Sequence, residues 1–124
     1  MKRSLSAACV ALLAGCSGIS DLCTLVDCDS GLLVQLAQTP TGPYRIEVFS
    51  HPESPHYVFD CANPATCGYA LFVDYTPSQV TIRVTTAAGT SEQTVKPTYD
   101  VDRPNGPNCD PACMQGTVTV PLPG

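Results

Sequence analysis

Cysteine has the widest chemistry of any residue type in this chain, and it occurs at positions 9, 16, 23, 28, 61, 67, 109 and 113. The last six fall into close pairs: Cys23 with Cys28, Cys61 with Cys67, and Cys109 with Cys113. Thiolates can hold zinc, exchange electrons or close disulfides, and spacing discriminates among these uses. Structural zinc sites favour C-x2-C knuckles, and none occurs. A redox dithiol favours C-x-x-C. Cys109-Asp110-Pro111-Ala112-Cys113 has one residue too many, and its acid raises a neighbouring thiol pKa. Structural disulfides are therefore expected. The simplest pairing is local, Cys23–Cys28, Cys61–Cys67 and Cys109–Cys113, although six cysteines can pair in other ways. Loops so short would each contribute only about 2 kcal/mol by restricting the unfolded chain, shaping loops more than holding the fold.

Oxygen ligands gather near the C-terminus, where Asp100, Asp102, Asn105, Asn108 and Asp110 are of the kind calcium prefers. Asp100, Asp102 and Asp110 are the candidate calcium residues, but Pro104 interrupts the EF-hand spacing and no Glu closes it. Asp and Asn also favour turns on their own account, and Asn105-Gly106 is a strong turn dipeptide, so a solvated turn is the expectation. His51 and His56 flank Pro52-Glu53-Ser54-Pro55, and with Glu53 they could hold a metal, but two prolines mark an exposed bend and no third histidine exists. Nucleophilic catalysis needs a nucleophile, a base and an orienting group together. Serine and threonine are plentiful, yet neither histidine lies in a recognisable motif, and no glycine-rich phosphate loop occurs. The expectation is a non-enzyme without a cofactor.

The N-terminus has its own pattern. Lys2 and Arg3 precede an apolar run from Leu5 to Leu13, which is the layout of a signal peptide and about half of what a spanning helix needs. The following Leu13-Ala14-Gly15-Cys16 resembles the lipobox of bacterial lipoprotein precursors. That resemblance implies cleavage before Cys16, a diacylglyceryl group on its thiol and an acyl chain, palmitate for example, on its freed amine. In the same family Ser17, in place of Asp, implies sorting to the cell outer membrane. Three chains would anchor firmly, at about 0.8 kcal/mol per buried methylene. Residues 17 to 22, at most about 20 Å long, would hold the domain close to that membrane. Losing residues 1 to 15 leaves four basic against eleven acidic residues, a charge of −7. Nucleic acid is thereby excluded as a partner, and membrane contact should come from the lipid and not from a basic patch.

The chain must then build a frame from what remains. Its 124 residues are 44% hydrophobic and 14% charged with twelve prolines, which suits one small folded domain with many turns. Alternating apolar and polar residues mark seven candidate strands: 32–37, 44–50, 56–61, 69–74, 79–86, 92–99 and 116–122. Val80, Ile82 and Val84 against Thr81, Arg83 and Thr85 give the clearest alternation. No stretch after Cys16 sustains a 3.6-residue period. The expected architecture is all-β, an immunoglobulin-like antiparallel β-sandwich of about seven strands over 31–124, after a signal helix at 1–15 and a lipid-attachment cysteine and short tether at 16–30. Antibody hallmarks, an inter-sheet cysteine pair and a buried Trp, are absent, so this likeness is architectural. Gly42-Pro43-Tyr44-Arg45-Ile46-Glu47-Val48 also resembles a strand of carboxypeptidase-regulatory-like and transthyretin-like sandwiches. The stretch from Thr98 to Leu122, with Arg103-Pro104-Asn105-Gly106-Pro107-Asn108-Cys109, resembles uncharacterised small proteobacterial lipoproteins and implies no activity. A binding or structural role follows, with a membrane-near protein or glycan as partner and loops 61–67 and 103–113 as its surface. The alternatives are a calcium-dependent adhesion module and a redox or hydrolytic envelope enzyme, the latter without motif support.

Overall fold

A computed structural model describes residues 22–50 and 56–124. The leader, Cys16, His51 and Glu53 lie outside them. The described chain forms eight strands and no helix: β1 (Gly31–Leu36), β2 (Tyr44–Phe49), β3 (His56–Cys61), β4 (Ala70–Val73), β5 (Val80–Thr86), β6 (Gly89–Val95), β7 (Tyr99–Asp102) and β8 (Cys113–Val120). They pair into two four-stranded sheets, in the orders β4-β1-β8-β7 and β3-β2-β5-β6. The molecule is a β-sandwich, as the alternating sequence pattern requires.

Each sheet turns one face inward. Leu32 and Val34 from β1, Ile46 and Val48 from β2, Phe72 from β4, Val80, Ile82 and Val84 from β5, and Val120 from β8 form the core, with Tyr75. Each large side chain buried this way contributes about 1.5–3 kcal/mol. The outward face of the second sheet is polar: Arg45 pairs with Asp60 at 2.6 Å, and Arg83 with Glu92 at 2.9 Å. These exposed pairs sit directly opposite one another in the ladder and fix register more than they stabilise. The Asp60 carboxylate, by hydrogen bond and charge, raises the Arg45 pKa further above its ordinary value.

The first and last strands lie side by side and parallel, from Gly31 opposite Gln115 to Leu36 opposite Val120. The other pairings are antiparallel. Two glycines permit close approach in this sheet. A Cβ on Gly31 would collide with the Phe72 carbonyl, and one on Gly116 would lie 2.8 Å from the Tyr99 ring.

The strand count differs from the sequence expectation. The candidate strand 92–99 is two elements, because Lys96-Pro97-Thr98 breaks it and Pro97 has no N–H for a ladder. β7 therefore reaches Asp102, so Asp100 and Asp102 lie on a strand, not in a turn. β8 begins at Cys113, before its apolar alternation starts.

Candidate functional site

Strand direction sorts the loops to two ends. β1 and β8 finish together, and residues 37–43 lead from that end directly into β2, whose first residue faces Cys61 and Thr86. Loops 37–43, 62–69 and 87–88 thus share one end. Segments 22–30, 74–79, 96–98 and 103–112 share the other.

The second end is covalently closed. Cys23 bonds Cys109 and Cys28 bonds Cys113, with Cα–Cα distances of 5.6 and 6.1 Å. The expected local pairs Cys23–Cys28 and Cys109–Cys113 are corrected by this connectivity. The physical reason is the parallel neighbourhood of β1 and β8, which brings the approach to one strand alongside the approach to the other. Cys61–Cys67 is local, as expected. The first long bridge closes 86 residues and is worth about 4.5 kcal/mol in the loop-entropy model; the second, closing only a small remaining loop, adds about 2.5. These bridges hold the fold together and do more than shape loops.

Asn105 secures the same end. Its side chain is buried at 7% exposure, and its Oδ1 accepts from the Thr24 hydroxyl at 2.6 Å and the Val26 N–H at 2.7 Å. Its Nδ2 donates to the Val26 and Asp110 carbonyls, both at 2.8 Å. Both hydrogen-bonding groups of Val26 meet one amide, as they would meet a neighbouring strand. Ser30 Oγ accepts from the Met114 N–H, and Gln115 Nε2 donates to the Asp29 carbonyl. Residues 22–30, expected as a tether, are fastened to the domain.

The residues of the alternative calcium reading are spread over the same end. Asn105 has no lone pair to spare, Asp100 and Asp102 project from β7, and Asp110 follows Cys109 in the bridged loop. Among the described residues no group of three His, Cys, Asp or Glu side chains is placed to hold a metal. His56 is instead 2.9 Å from Glu47 across the β2–β3 ladder. The two cysteine loops, 61–67 and 103–113, sit at opposite ends and cannot form one surface.

The open end carries the clefts. One of about 300 Å³ lies between the sheets and is lined by Gln35, Leu36, Gln38, Tyr44 and Tyr69 among others. A second, about 260 Å³, adjoins it across Pro40 and extends to Thr86 and Leu122. Neither of these two linings contains a charged residue, whereas a third cleft at the same end, about 360 Å³, includes Arg45 and Asp60. Tyr69 is 80% exposed at the rim, while Tyr44 stacks obliquely on Phe59 with ring centres 6.3 Å apart. Gln38 Oε1 accepts from the Leu122 N–H, tying the lining of the first cleft to that of the second. No motif marks this cleft in the sequence, because its walls come from strand ends and loops whose juxtaposition only the sheet order determines.

Two tyrosines, Tyr75 buried and Tyr99 half-buried, belong to the frame. Tyr99 donates its hydroxyl to the Pro77 carbonyl at 2.6 Å, and burial, with Tyr75 nearby, pushes its pKa up to about 12. Burial also raises that of Tyr75, which Ser50 partly offsets. Comparisons with protein-family models, curated proteins and solved structures found no match for this chain.

Proposed function

We propose that this chain is a lipid-anchored envelope protein whose β-sandwich binds a neutral glycan segment at its open end. The observation that carries the reading is the uncharged 300 Å³ cleft with Tyr44 and Tyr69 beside Gln35 and Gln38, on a chain of net charge −5. A sugar ring offers an apolar face to an aromatic ring and hydroxyls to amides, and it avoids the acidic surface elsewhere. The lipobox at 13–16 supports the anchor, and the bridged end adjoins the chain leading from Cys16. Anchor and cleft then occupy opposite ends, so the cleft faces away from the bilayer. Outer-membrane sorting rests on Ser17. The role is non-enzymatic.

Within this reading the sandwich is immunoglobulin-like in the broad sense, supported by its size and its two packed sheets. It departs from the antibody constant-domain order, since β1 and β2 lie in different sheets.

Two measurements test the reading. Intact mass of the native protein should show a chain beginning at an acylated Cys16; an intact Met1 overturns the anchor. Titration with a panel of neutral oligosaccharides should give binding that Tyr69→Ala weakens about tenfold, the loss expected when one stacking contact of about 1.4 kcal/mol is removed. Binding unaffected by Tyr69→Ala removes the cleft from the function.

A further inference from the structure

Exposed apolar side chains concentrate where the chain enters the domain. Leu25 is 100% exposed, Leu22 72% and Val26 53%. Val101 and Met114, opposite each other in the β7–β8 ladder, are exposed at the same end. The short segment carrying the first three is not a loose tail. It is held by Cys23–Cys109 on one side of Leu25, by Cys28–Cys113 on the other, and by Asn105 on the Val26 backbone. Two covalent bonds and a fully occupied buried amide thus hold a leucine entirely in water. Such rigidity removes the ordering cost that a flexible loop would meet on docking.

We propose that Leu22, Leu25 and Val26 form a foot that rests in the membrane interface, the lipid surface being that of zwitterionic phospholipid. The inference rests on the anchor reading, and chain length supplies the argument. Cys23 lies seven residues after Cys16, a span of at most about 25 Å, so an acylated Cys16 brings the foot within reach of the headgroups. Apolar side chains at a membrane surface gain by burial at the acyl boundary. Charge selects the lipid: Asp27, Asp29, Asp74, Asp100, Asp102 and Asp110 are exposed at this end against Lys96 and Arg103, so an anionic surface repels it and an ethanolamine or choline surface does not. Two contacts, lipid and foot, would hold the sandwich upright with its cleft outward, whereas acyl chains alone leave it free to tumble.

The chain contains no Trp, so one introduced Trp reports its own surroundings. The full-length protein carrying Leu25→Trp is placed in phosphatidylethanolamine–phosphatidylcholine vesicles with brominated acyl chains, beside Thr119→Trp on the exposed side of β8. The expected result is emission at 25 quenched severalfold more by brominated lipid than at 119, with quenching by aqueous iodide in the reverse order. Replacing part of the neutral lipid by phosphatidylglycerol should reduce the lipid quenching at 25. Iodide quenching equal at both positions overturns the proposal. So does a Trp at 25 shielded from both quenchers, which marks a protein partner. Intact mass is read on the same samples: an unacylated Cys16 ends the anchor reading, while the contrast between 25 and 119 on that protein still decides the foot.

Discussion

Asn105 shows how much one side chain can carry. Its amide satisfies both polar groups of Val26 along with Thr24 and Asp110, so Asn105→Ala leaves partly buried donors and acceptors unmet. The expected loss is about 2 kcal/mol, or roughly 10 °C in a thermal melt. Asn105→Asp should fare no better, because a carboxylate cannot donate to two carbonyls. Tyr99 governs the alkaline limit. Its folded pKa near 12 lies above its ordinary value of 10, so folding favours the protonated phenol. Stability should hold below about pH 10 and fall as pH rises toward 12, and Tyr99→Phe should flatten that decline in denaturant titrations at each pH. The turn around Asn105-Gly106 was legible in the sequence. The clamp was not, because Val26 and Thr24 lie 79 and 81 residues away and nothing local distinguishes a turn asparagine in water from one buried under another segment.

Period-2 alternation read most strands correctly, β5 above all, because a sheet with one buried face writes its geometry into the side-chain order. It failed where no such face exists. β6 is largely exposed along its length and β7 is mostly exposed, so neither has an apolar row to mark its ends. β7 is nonetheless tied into place by Tyr99, whose ring covers Gly116 of β8 and whose hydroxyl is held by Pro77. The ring therefore cannot swing aside for a new side chain. Gly116→Ala should cost about 1–3 kcal/mol by overpacking, read as a lower denaturant midpoint at unchanged slope. Sheet order was not legible either: alternation says which way a residue faces and is silent about which strand stands beside it.

Connectivity is a property of the whole molecule. Trypsin cuts after Arg45 and Arg83 but not before Pro97 or Pro104, so a non-reducing digest should yield the peptide ending at Arg45 linked to the peptide starting at Val84. Local pairing would release the two separately. Millimolar calcium should leave the melting temperature unchanged, since Asn105 is committed and the nearby acids are not gathered into a site. The long bridges have a mechanical consequence. A pull between the N-terminal side and Gly124 enters at Cys23, crosses at once to Cys109 and leaves through Cys113, bypassing the interior of the chain. Only the eleven residues after Cys113 can then unravel, releasing about 40 Å, against about 340 Å once the sulfur bonds are reduced. Oxidised, the sandwich behaves under tension as a knot of fixed length.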